Sequence, residues 1–116
     1  MNTGGLKMAF YMLQMNYPSE TIKSLINKPE DRMSAAASLM ESIGGKLHHM
    51  FMAQGECDVV VICEIPDTIS AVAMGMLVAS SGAVENFKTT PLLTWDEAME
   101  AMKKAGNISG YKPIGS

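Results

Sequence analysis

Basic charge is scarce in this chain. Its 116 residues include nine lysines and arginines against twelve aspartates and glutamates, for a formal net charge of −3, and Arg32 is the only arginine. No basic cluster supplies the electropositive footprint that nucleic-acid binding requires, so no nucleic-acid partner is expected. Cysteine is scarce as well. Cys57 and Cys63 read as parts of one strand, where a rise of about 3.3 Å per residue sets their Cα atoms roughly 20 Å apart. That exceeds disulfide reach. Two free thiols point to a reducing, cytoplasmic compartment. The apolar run from Val59 to Ile65 is interrupted by Glu64 and is too short to span a bilayer. Met1 to Gly5 lacks the basic and apolar regions of a signal peptide, so no membrane association is expected. The chain also has no P-loop, no G-x-G-x-x-G after a strand, no C-x-x-C, no H-E-x-x-H and no nucleophile elbow. No cofactor is identified by these signs.

What the chain does have is apolar surface. Hydrophobic residues make up 47% and charged residues 18%, with twelve methionines. A small core cannot hide that much, so part of it is expected to meet a second copy of the chain.

The residues order themselves into alternating elements. Residues 6–15 are apolar and read as the first strand. Ser19 offers a cap for a short helix with Ile22, Leu25 and Ile26 on one side. A second helical stretch restarts at Pro29-Glu30-Asp31, where acids suit the positive end of the helix dipole, and continues through Met33, Ala36, Met40 and Ile43. Gly44-Gly45 ends it. Residues 46–54 and 57–65 read as two strands joined by a tight Gly55-Glu56 turn. After Pro66, Asp67 or Thr68 caps a helix with a stripe at Ile69, Val72, Ala73, Met76 and Leu77. Residues 84–93 read as a fourth strand, which Pro91 suggests is at a sheet edge or bulged there. Thr94-Trp95-Asp96-Glu97 is a capping box opening a last helix, striped with Trp95, Ala98, Met99 and Met102. Thus 1–106 reads as one α+β domain, ferredoxin-like βαββαβ plus a C-terminal helix, and 107–116 as an extended tail.

Strand alternation sorts side chains into two faces. Val59, Val61 and Cys63 oppose Val60, Ile62 and Glu64. Phe10 and Met12 oppose Tyr11 and Leu13. Leu47, His49 and Phe51 oppose His48, Met50 and Met52. Both faces are apolar, and helices cover one. An antiparallel sheet apolar on both sides needs a second cover, and the simplest is the same sheet from another copy. Adjacent histidines on opposite faces cannot readily share one metal, so no metal site is expected.

The order Gly44-Gly45-Lys46, Phe51, Gly55-Glu56-Cys57-Asp58-Val59-Val60 resembles the GYD domain family of dimeric α/β barrels. Ile22-Lys23, Pro29, Arg32, Thr94 with its acidic helix start, and Tyr111-Lys112-Pro113 add to the likeness. Cys57 stands where that family has tyrosine, and Met52 where it has a second aromatic. The resemblance implies a homodimeric barrel. If the family's aromatics line a pocket, Phe51, Met52 and Cys57 line this one. Superfamily members span catalysis and pure assembly, so fold alone assigns neither.

Polar side chains inside apolar strands suggest one site. Tyr11, His49 and Asp58, with Phe51, are expected to line a cavity between sheet and helices, where His49 and Asp58 can move protons. Arg32 can clamp a carboxylate. Glu64 can pair with a basic residue or face a pocket. Each residue also has a plainer reading: a solvated or packed histidine, a small apolar filler at Cys57, a surface ion pair at Arg32. Two functions stay open: a protein that binds or transforms a small, fairly apolar molecule, and a non-catalytic homo-oligomeric assembly module.

Overall fold

The computed structural model describes residues 8–116. The expected start of the first strand at Leu6 and Lys7 lies outside them, as does the Met1 to Gly5 segment. The elements are β1 (Ala9–Asn16), α1 (Ser19–Asn27), α2 (Arg32–Ser42), β2 (Lys46–Met52), β3 (Val59–Ile65), α3 (Thr68–Ser80), β4 (Glu85–Leu92) and α4 (Trp95–Asn107). The strands form one antiparallel sheet in the order β2-β3-β1-β4. This is the ferredoxin-like α+β arrangement with an added C-terminal helix.

Local chemistry explains most boundaries. Asp31 caps α2, its carboxylate accepting from the backbone N–H groups of Met33 and Ser34 at 3.0 and 3.2 Å. The Ser34 hydroxyl, donating to the carboxylate at 2.7 Å, and then those backbone bonds hold its carboxyl below the ordinary value. Asp67 caps α3 through Ser70 N–H at 2.7 Å. The Thr94–Glu97 capping box forms as expected. Ser19 does not cap α1. Pro18 occupies the cap position, and no side chain bonds the helix end. At the α2 exit Gly44 has φ +77°, and a Cβ on Gly45 would stand 2.7 Å from the Glu64 carbonyl. Only glycine lets the helix end meet β3 this closely.

The β2–β3 hairpin is looser than a two-residue turn. β2 ends at Met52 and β3 begins at Val59. Asp58 is spent on tying the hairpin to β1. Its backbone N–H donates to the Met15 carbonyl at 2.9 Å and its carbonyl accepts from Ala53 N–H at 2.8 Å. Its carboxylate accepts from Tyr17 N–H at 2.8 Å.

The core lies between the sheet and the helices. Tyr11, Leu13 and Met15 of β1 and Val59, Val61, Cys63 and Ile65 of β3 are buried against Met40 of α2 and Ala71 and Met74 of α3. The stripe expected of α3 is not the face the sheet takes. Ala71, Met74 and Gly75 turn inward, while Ile69, Val72, Met76 and Leu77 are exposed. The helix is apolar all round, so its sequence does not say which side is in. Packing settles it: a Cβ on Gly75 would stand 3.0 Å from the Phe87 ring, so the small-residue face alone lets α3 approach β4 this closely.

Pro91 lies in β4, which among the described residues pairs with β1 alone, at the edge of the sheet, the first of the two expected placements. No residue of α4 is buried, and the chain beyond it carries no helix or strand. The Cα radius of gyration is 17.9 Å. A compact chain of this length has about 13 Å.

Candidate functional site

The helix-covered face of the sheet holds a cavity. α1 contributes no buried residue and stands off the strands. The space beneath it measures about 430 Å³. Its floor is Leu13, Met15 and Val61, and its walls include Leu25, Leu39, Met74 and Phe87. The Thr21 hydroxyl donates to the Ala83 carbonyl at 2.7 Å, tying α1 to the α3–β4 connection. A neighbouring cavity of about 310 Å³ reaches Phe51, Met52 and Val59 at the β2 edge. Both cavities share Tyr17, Leu25, Glu30, Arg32 and Met50.

The shared residues supply the polar chemistry. Arg32 Nη1 donates to Glu30 Oε1 at 2.7 Å, with both side chains about half exposed. Tyr17 sits beside them, half-buried. Burial raises its phenol above the ordinary value. Arg32 opposes that rise, and Asp58 and Glu30 reinforce it. Tyr17 therefore keeps its proton at neutral pH and presents both a donor and an acceptor. The main cavity also has Glu20, Thr21 and Ser24 along α1. The arrangement can solvate one polar group at the shared region and take an apolar body along the floor.

The residues expected to share a site separate into two groups. Arg32, Phe51 and Met52 border the cavities. Tyr11 is buried on the covered face, but its hydroxyl bonds Thr68 Oγ1 at 3.1 Å and does not border either cavity. Asp58 is engaged at the β1 end, as described. His49 lies on the opposite face of the sheet, so Tyr11, His49 and Asp58 do not line one cavity. Cys57 is at the hairpin, with its sulfur 3.7 Å from Gln14 Nε2. It is a free thiol, as is Cys63.

The histidines are placed by a β-bulge that their sequence does not announce. Leu47 pairs with Cys63 and His49 with Ile62, so the register shifts by one residue at His48. Two residues then oppose one, and both histidines turn to the open face. Simple alternation, which puts them on opposite faces, fails here. His48 Nε2 lies 2.7 Å from Glu64 Oε1, with its ring stacked on Phe10 at 5.4 Å. Glu64 is thus paired with a histidine on the open face. His49 stacks on Phe51 at 6.1 Å. Among the described residues no group of three or more His, Cys, Asp or Glu is arranged to hold a metal ion, and no helix is long and apolar enough to cross a membrane.

Tyr17, Glu30 and Met50 are the site residues that sequence reasoning misses. A Tyr-Pro pair after an apolar strand marks an exit, and nothing in it signals a cavity. The standing-off of α1 is a tertiary fact.

Neither the curated proteins nor the solved structures yield a match to this chain. The model of the GYD domain matches residues 11–102, a span that takes in most of β1, the other three strands, α1 to α3, the first part of α4, the hairpin with Asp58 and the cavity lining. On that match the chain belongs to the GYD domain family.

Proposed function

We propose that the chain binds a small, fairly apolar molecule in the cavity between sheet and helices, with a carboxylate or similar polar end at Arg32 and Tyr17. The observation that carries the reading is the cavity itself. Its volume of about 430 Å³ falls within the range of small-molecule sites, and it pairs an apolar floor with a few convergent polar groups. Arg32 suits a planar acid, because the guanidinium fork can take both oxygens while Glu30 is displaced or shared. The neutral Tyr17 phenol adds a bond without adding charge.

Calorimetric titration with decanoate and with decanol tests the reading, alongside native mass spectrometry of freshly purified protein for any retained ligand. Ala36→Trp, which projects an indole into the cavity, is expected to abolish decanoate binding while the circular dichroism is unchanged. Arg32→Ala is expected to weaken decanoate about tenfold or more and decanol little, since a charge-assisted bond contributes about 1.5–3 kcal/mol. A folded Ala36→Trp chain that binds decanoate like the unaltered chain would overturn the proposal.

The open face of the sheet supports assembly as a second reading. Phe10, Met12, Val60 and Ile62 lie there, half-buried and uncovered by helices. A second copy presenting the same face would cover them at the usual sheet-to-sheet spacing of about 10 Å, giving a homodimer. Light scattering that finds only monomer at micromolar concentration would remove this reading. The free thiols of Cys57 and Cys63 fit a reducing, cytoplasmic setting.

A further inference from the structure

Among the described residues, two helices turn apolar side chains outward, uncovered by any other described element. On α3, Ile69, Val72, Met76 and Leu77 point outward, with Ile69 83% and Met76 68% exposed. The helix has no charged residue anywhere in its 13 positions. A helix apolar all round is ordinarily buried all round. On α4, Trp95, Met99 and Met102 form a stripe, with Trp95 73% exposed. No residue of α4 is buried, and among the described residues it packs closely on no other element. Unlike α3, α4 carries charge on its remaining faces, including Asp96, Glu97 and Lys104.

We propose that α4 of one copy lies along the outer face of α3 of a second copy, and reciprocally. The two faces match in length and period. Each helix has 13 residues. Ile69, Val72, Ala73 and Met76 repeat the spacing of Trp95, Ala98, Met99 and Met102. The alanine in each stripe lets the two helix axes approach. Leu93 and Thr94 join α4 to β4, the capping box fixes its first turn, and among the described residues its apolar stripe meets no other element closely, so it is free to meet another copy. A second copy therefore receives it. A reciprocal contact also reaches the needed size. The exposed large side chains of both stripes, at on the order of 100 Å² each, offer each copy roughly 700 Å², close to the approximately 800 Å² per partner of a standard interface. Neither the α3 outer face nor the α4 stripe borders the cavity or belongs to the sheet, so this contact stands apart from both readings of the function.

Mixed cross-linking of full-length chains tests the proposal. Ala73→Cys and Met99→Cys are made separately in a Cys57→Ser background, mixed at micromolar concentration and treated with a short bismaleimide. The expected product is a covalent pair joining the two different variants, in excess of what either gives alone. Trp95 emission is expected to move to shorter wavelength as protein concentration rises. Met99→Gln with Met102→Gln, at exposed positions, is expected to raise the dissociation constant at least tenfold without changing the circular dichroism. A cross-link that forms only when one chain carries both cysteines would overturn the proposal in favour of docking within the chain. A Trp95 shift that needs anionic phospholipid vesicles and ignores protein concentration would overturn it in favour of a membrane surface. Absence of both cross-link and shift would overturn it outright.

Discussion

The two faces of the sheet have similar hydrophobicity and very different surroundings. On the covered face Leu13, Val59 and Cys63 are fully or almost fully buried. On the open face Phe10, Met12, Val60 and Ile62 keep part of their surface, and the polar residues Gln14, His48, His49 and Glu64 stand among them. The two sides of α3 repeat this contrast, with Ala71, Met74 and Gly75 inward and Ile69, Val72, Met76 and Leu77 outward. The difference teaches that apolar character identifies surface that needs cover, and that shape decides which side is covered within the chain. Gly75 holds the point where α3 meets Phe87 because close approach brings more atoms into contact than a larger side chain held farther away.

The sharpest way to break the comparison is paired truncation on β1. Leu13→Ala, on the covered face, should lower unfolding stability by about 3–4 kcal/mol, as buried leucine-to-alanine changes do. Met12→Ala, its neighbour on the open face, should cost under about 1 kcal/mol at concentrations where the chain is monomeric. Urea unfolding measures both, and equal losses would abolish the distinction. The next contrast lies on α3. Gly75→Leu drives a side chain into the Phe87 ring and should cost about 3 kcal/mol by overpacking. Met76→Gln, one residue on but facing out, should change monomer stability by less than about 1 kcal/mol.

The smallest effect is alkaline. Burial pushes the Cys63 thiol up from 9.0 to about 11. In the unfolded chain the thiolate forms from about pH 9, while the folded chain holds its proton until near pH 11. The unfolded state loses its proton first, so this contribution is fully retained below pH 9 and stability falls as pH rises through that window. By pH 11 the loss should reach roughly 2 kcal/mol. Unfolding of Cys63→Ala beside the unaltered chain isolates the effect, and parallel slopes would refute it. Cys57, at the hairpin, should react with a thiol reagent in the native protein while Cys63 does not.

Much of the fold is legible in the sequence because its signals are local. The capping box at Thr94, the caps at Asp31 and Asp67, the glycine pair at 44–45 and the β-branched run of β3 each act within a few residues. So does the GYD pattern around Gly55 to Val60, although Asp58 proves to be a tie between hairpin and β1 rather than part of a cavity. The candidate site is less legible. Arg32, Phe51 and Met52 can be nominated from sequence and do border the cavities. Tyr17 and Glu30 cannot, because nothing near them in the chain says that α1 stands off the sheet.

By itself, the sequence determined the order of elements, most of their ends, the antiparallel ferredoxin-like class and the excess of apolar surface, since propensity, capping and alternation operate over neighbouring residues. Tertiary structure decided the rest. Pairing of β2 with β3 created the bulge that turns both histidines to one face. Contact with Phe87 chose the inner side of α3, whose all-apolar sequence expresses no preference. The spacing of α1 from the strands opened the cavity. Each depends on the distance between residues far apart in the chain, a quantity that no local pattern encodes.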